Sequence, residues 1–318
     1  MSATLTLSPG AELFVDRTPF ALDHDEPLPG LALPYEIAGP RDGPLVVVQG
    51  GISAHPHATA TLRDASPGWW QPVVGGGRAV DTRRFQVLSL EFLGRREEAV
   101  VSSGDQARAT ARLLDELGVA RLHAFVGASY GGMAALRFAE LFPDRVERVV
   151  AVSAPDRPRA FATAWRALQR RVLELGSRLG AESDSVAIAR AMGMLSYRSP
   201  GELEERFAPV GPDDRRVESY LLARGREFAA RFDAGAFARL SRAVDLHRAE
   251  VGRITARATL VAADPDLLVP PEQLADLAPR FARPARFVRL PSRFGHDAFL
   301  KEPAALTRIL AAALAESP

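Results

Sequence analysis

The run Gly127-Ala128-Ser129-Tyr130-Gly131 sets a hydroxyl between glycines, with an apolar run before it and a helical pattern after it. Glycine is a poor residue in either element, so glycines at 127, 131 and 132 require a local backbone reason. A sharp strand-to-helix turn supplies one. It strains the serine backbone, lifts the hydroxyl clear of the strands and leaves room only for small residues on either side. A plainer alternative is a glycine-lined turn with a helix-capping serine. Used as a nucleophile, a serine needs a base to take its proton and a carboxylate to orient that base.

On a strand–serine–helix turn the expected order along the chain is serine, acid, histidine. Of the six histidines, His296 in "SRFGHDAFL" follows a late strand pattern at the start of a loop. His24, His55, His57, His123 and His247 precede the candidate acids or lie within expected elements, and read as structural or exposed. "AADPDLLVPPEQ" offers Asp264 and Asp266. Asp266 is favoured because the apolar turn at 267–270 would hold a buried carboxylate, whereas Asp264 precedes Pro265 as turn residues do. Negative charge developing on an attacked carbonyl needs two N–H donors. The expected ones are the backbone of Tyr130 and that of Ile52 in "QGGISAH", where Gly50 and Gly51 permit close approach.

These residues need a sheet to carry them. Short apolar runs at 44–51, 85–94, 121–129 and 146–154 read as buried parallel strands, with helical patterns between the second and third and after the serine. Residues 157–250 hold helical windows and no strand pattern. Strands resume at 258–266 and 285–292, followed by a C-terminal helix. The first 40 residues, rich in turn signals, suggest antiparallel edge strands. The expected fold is α/β, a mostly parallel sheet with helices on both faces: an α/β-hydrolase scaffold with its core at 1–156 and 251–318. A helical cap at 157–250 would be inserted after the strand ending near Ala154, over the strand ends where ligands bind.

Composition narrows the chemistry. The 318 residues include no cysteine, which removes thiol nucleophiles, disulfides and zinc–thiolate sites. A formal net charge of +1 gives no general case for nucleic acid or an acidic membrane as partner. No stretch approaches the ~20 apolar residues of a membrane span, and the first residues lack a basic region followed by an apolar run. A cytoplasmic protein without a metal or permanently bound cofactor is the expectation.

Five separated motifs in order resemble the homoserine O-acyltransferases of methionine biosynthesis along nearly the whole chain. They are "GWWQPVVGGGRAVDTRRFQVLSLEFLG" (68–94), "VGASYGGMAALRFAELFPDRVERVVAVSA", the pair "MLSYRSPGELEERF" (194–207) and "FDAGAFARLSRAVDLH" (232–247), "DLLVPPEQLADLA", and "GHDAFL". The resemblance implies a Ser129, Asp266 and His296 triad and an acyl-CoA co-substrate. It also implies two contacts to the acceptor, L-homoserine: Arg198 for its carboxylate and Asp297 near its amino group. Guanidinium and carboxylate suit those groups. A homodimer through the cap is implied as well. Where many members carry a histidine-led HALTG loop, this chain has "GGISA", which looks more like the branch using succinyl-CoA than that using acetyl-CoA. A succinyl tail would need a cation, and no arginine of the cap is singled out for it by sequence. Serine as acceptor, and ester hydrolysis on the same scaffold, stand as alternative reactions.

Overall fold

The computed structural model describes residues 7–315. Eight strands form one sheet: β1 (Glu12–Asp16), β2 (Leu31–Ala38), β3 (Leu45–Gln49), β4 (Gln86–Leu90), β5 (Ala124–Ala128), β6 (Arg148–Val152), β7 (Arg257–Asp264) and β8 (Arg286–Pro291). Their spatial order is β1-β2-β4-β3-β5-β6-β7-β8. The first two strands are antiparallel, to each other and to β4, and the other six run parallel. The edge strands expected in the first 40 residues are therefore present, and the six later runs form the parallel part.

The valine-rich strands are buried on both faces because both are covered. Alternation divides their side chains between two apolar clusters. Val47, Phe125, Val149 and Leu260 face α1 (Ser103–Glu116), α2 (Tyr130–Leu141) and α8 (Pro271–Leu277). Val46, Val48, Val126, Val150 and Val261 face α10 (Pro303–Ala315) and the irregular segment 55–85, anchored by Trp70 and Val74. One face is thus closed by three helices, the other by a helix and a long loop.

Between β6 and β7 the chain forms α3 (Ala160–Leu179), α4 (Glu182–Tyr197), α5 (Pro200–Phe207), α6 (Arg216–Ala229) and α7 (Ala234–Leu246), with no strand among the described residues. The two ends of this helical segment are joined where Ala249 N–H donates to the Asp156 carbonyl at 2.9 Å. Buried His247 sits at the same junction, bonded to Ser103 of α1 at 2.7 Å and to the Pro155 carbonyl at 2.9 Å. A short helix, α9 (Ala298–Lys301), completes the fold after β8.

Candidate active site

The turn between β5 and α2 has the predicted strain. Ser129 adopts φ +54°, in a region that L-residues other than glycine rarely occupy. The glycines are there for space. A Cβ at Gly127 would lie 2.2 Å from the Gly131 carbonyl oxygen, and one at Gly131 would lie 2.3 Å from the Gln49 carbonyl oxygen. Both obstacles are backbone, which cannot swing away. Ser129 occupies the N-cap position of α2 but its side chain makes no capping bond. The hydroxyl is turned elsewhere, which disposes of the capping alternative.

It meets His296. Ser129 Oγ lies 2.8 Å from His296 Nε2, and His296 Nδ1 lies 2.7 Å from Asp266 Oδ2. With the proton on Nδ1, that N–H donates to Asp266 and leaves Nε2 to accept from the serine hydroxyl. Asp266 is held in turn: its Oδ1 accepts the backbone N–H groups of Leu268 and Val269 at 2.8 and 2.9 Å, the apolar turn that the sequence pattern suggested. Asp266 is 3% exposed and His296 5%. Burial penalises the imidazolium, but Asp266 outweighs it and holds the His296 pKa above its ordinary value. Asp264 is partly exposed at the end of β7 and faces Arg289 at 3.6 Å.

The amides expected to steady an oxyanion are those of Tyr130 and Ile52. Tyr130 opens α2, so its N–H belongs to the first turn, which has no partners inside the helix. Ile52 follows Gly51, where an added Cβ would sit 3.8 Å from Ser129 Cβ. This loop is fixed from behind. Trp69 Nε1 donates to the His55 carbonyl at 3.0 Å, and His57 pairs with buried Glu36 at 2.9 Å.

Ser129, His296 and Ile52 line a cavity of about 340 Å³ together with Asp297, Trp69 and Tyr197. The helical segment contributes Tyr197 from α4 and Phe228 from α6, so it roofs the strand ends. Arg198, at the end of α4, is 8% exposed and does not line this cavity. Its Nε donates to Asp297 at 2.8 Å and its Nη1 to Glu202 at 2.9 Å, with the Tyr220 hydroxyl 3.4 Å from Nη2. The two residues that the resemblance assigned to opposite ends of an amino acid are thus paired with each other. Sequence reasoning missed Glu202 and Tyr220. It also missed the cavity arginines Arg95, Arg190 and Arg231, and His55, which it had placed among structural histidines. No spacing marks these four, since they come from four separate segments.

Residues 44–303 match the model of the alpha/beta hydrolase fold family. Among curated proteins, the chain is 43% identical over 291 residues to a homoserine O-succinyltransferase of Xanthomonas campestris, covering 89% of this chain and 79% of that one. The chain belongs to the homoserine O-acyltransferase family. A serine O-succinyltransferase of Litchfieldella anticariensis is 31% identical, with 97% of this chain and all of that one covered. Among solved structures, a homoserine O-acetyltransferase from Bacillus anthracis superposes with a TM-score of 0.88 at 19% identity, over 96% of this chain and 98% of that one. A mutant of esterase E22 superposes equally well, at 0.88 and 20% identity over 96% and 99%. Family members and an esterase share the scaffold to the same degree, so the backbone alone does not choose between transfer and hydrolysis. Among the described residues no group of side chains could hold a metal ion, and no helix is long and apolar enough to cross a membrane.

Proposed function

We propose that this protein transfers an acyl group from acyl-CoA to the hydroxyl of L-homoserine, through an acyl-enzyme on Ser129, in cytoplasmic methionine biosynthesis. The observation that carries this reading is the hydrogen-bonded relay from Ser129 through His296 to Asp266, opening into a cavity roofed by the helical segment. The 43% identity to a homoserine O-succinyltransferase supports succinyl-CoA as the acyl donor.

Proton transfer follows the relay. His296 Nε2 takes the proton of Ser129 as Oγ attacks the thioester carbonyl. The tetrahedral oxygen rests on the Tyr130 and Ile52 amides, the C–S bond breaks, and CoA leaves as thiol with the proton from His296. Homoserine then enters with its ammonium near Asp297 and its carboxylate near Arg198, whose fork retains N–H groups beyond those given to Asp297 and Glu202. Neutral His296 removes the acceptor's hydroxyl proton, the alkoxide attacks the acyl-serine, and the proton returns to Ser129. Support for transfer over hydrolysis comes from the 43% identity to an acyltransferase, since an esterase shares the same scaffold over 96% of this chain. A homodimer formed through the helical segment completes the reading.

The test is a matrix of succinyl-CoA or acetyl-CoA against L-homoserine, L-serine or no acceptor, followed by thiol release and mass spectrometry of products and protein. Thiol release should depend on homoserine, O-acyl-homoserine should accumulate, and Ser129→Ala should show neither acyl-enzyme nor turnover. Rapid release of free acid regardless of acceptor would make the protein an ester hydrolase. Preference for serine, the acceptor named for the Litchfieldella relative, would move the activity to the shorter substrate.

A further inference from the structure

The cavity beside Ser129 is lined by three arginines, Arg95, Arg190 and Arg231. Most arginines of this chain are matched to carboxylates at close range. Here the balance fails: among the described residues no carboxylate pairs with Arg190 or Arg231. Arg95 shares one carboxylate, Glu91, with Arg96 at 2.9 and 2.5 Å. The Nη1 of Arg95 is buried with no hydrogen-bond partner among the described residues. A buried guanidinium nitrogen left without an acceptor is costly, so a missing partner is the natural explanation.

The way these cations are held preserves their hydrogen-bonding edges. The Arg95 guanidinium lies 4.5 Å from the Phe232 ring centroid, Phe232 stacks on Phe228 at 4.6 Å, and Arg190 lies 4.8 Å from Phe228. Stacking engages the face of a guanidinium and leaves its N–H fork free in the plane for an oxyanion. Arg231, just beyond α6, makes no side-chain contact of this kind and is exposed. Arg95 and Arg231 also line an adjoining cleft of about 200 Å³ together with Arg96 and Glu91. The positive side of the cavity therefore continues outward, along the route a long acyl donor would need. Asp233 also borders this cleft, with its carboxylate engaged in capping α7.

We propose that Arg95 and Arg231 form an oxyanion subsite for the acyl donor, recognising either a terminal carboxylate of the acyl chain or a phosphate of CoA. The subsite rests on the acyl-CoA reading above and extends it. It draws one arginine from the sheet domain, in the loop after β4, and the other from the helical segment. A bound oxyanion would tie the roof to the strands while the acyl group is transferred. The acceptor carboxylate is not its ligand in the reading above, which assigns that end to Arg198.

The experiment isolates the acylation half-reaction, read as the burst of thiol release without acceptor, so that it is independent of which acceptor is used. Arg231→Ala is the principal variant, since no side-chain bond of the fold is lost with it; Arg95→Gln and Arg231→Lys accompany it. With succinyl-CoA, Arg231→Ala should lower the second-order rate of the burst about 10- to 100-fold, the effect of one hydrogen bond to a charged group. Arg231→Lys should restore part of the loss. If acetyl-CoA is then affected less than about threefold, the subsite reads the acyl carboxylate. If acetyl-CoA falls equally while succinyl- and acetyl-N-acetylcysteamine, which lack the phosphates, are unaffected, it reads CoA phosphate. Either result supports the subsite. Unchanged rates with all thioesters overturn it, as does a variant whose sole defect is a raised KM for homoserine. A wild-type protein giving no burst with any thioester would overturn the underlying reading instead.

Discussion

His296 must be neutral to accept the proton of Ser129, and its surroundings oppose that. Burial favours the neutral ring, but the Asp266 carboxylate at 2.7 Å prevails and the pKa lies above the ordinary ~6.5. The acylation rate, measured as thiol release at low thioester concentration between about pH 5 and 9, should rise with pH along a limb centred above ~6.5. Asp266→Asn removes the charge that raises it, so the limb of the slower variant should move to lower pH. A wild-type limb at or below ~6.5 would contradict the assignment. The sign for stability is the reverse of that for activity. The imidazolium's contribution is fully present below the unfolded-state pKa of ~6.5 and is lost as pH rises through the higher folded value.

At the scale of elements, His247 joins the end of the helical segment to α1 and to the loop after β6. Its ring is fully buried, accepts the Ser103 hydroxyl at Nδ1 and donates from Nε2 to the Pro155 carbonyl. Burial pulls its pKa down to about 3, against the opposing effect of the Pro155 bond. Here the folded state prefers the neutral ring. The stability it contributes is present above the unfolded-state pKa of ~6.5 and is lost as pH falls from there toward about 3. His247→Gln removes the titration. Thermal melts followed by circular dichroism should show a variant less stable than wild type near neutrality, yet with a shallower decline between about pH 6 and 4. Parallel declines in the two proteins would show that His247 does not carry this acid sensitivity. The loop of 50–57 is held from outside by Glu36 through His57 and by Trp69 through the His55 carbonyl, and Trp69 also lines the cavity.

At the scale of the whole molecule, the outer surface of α3 carries an apolar stripe left exposed among the described residues. Phe161, Trp165, Leu168, Val172, Leu175 and Leu179 recur at alternating spacings of four and three, the spacing of a helix seam. Phe161, Leu168, Leu175 and Leu179 are 52%, 57%, 53% and 78% exposed. Each large apolar side chain brought out of water contributes about 1.5–3 kcal/mol, so a second α3 laid against this stripe would stabilise a dimer. Sedimentation or light scattering should find the wild type dimeric. Leu168→Glu combined with Leu175→Glu should give a monomer whose circular dichroism is unchanged. A monomeric wild type would refute pairing through α3. Because the same helical segment roofs the cavity, loss of the pair should also show in the KM for acyl-CoA.

What the sequence determined by itself was set by forces acting within a few residues. The glycines around Ser129 follow from clashes inside one turn, the Asp266 carboxylate from amides two and three positions onward, and the parallel strands from runs of valine that are apolar on both sides. Chain order then sufficed to nominate His296. Tertiary structure decided the rest, because the remaining partners come from segments with no shared period. Arg198 meets Asp297 across 99 positions and Tyr220 across 22, although its third partner, Glu202, lies only four residues on. Arg95 and Arg231 border one cavity from a loop and from the end of a helix, and only the imbalance of charge around them marks them as a pair. The irregular 55–85 layer was likewise unreadable in advance: its tryptophans acquire their role from the strands and carbonyls they cover, not from their neighbours in sequence.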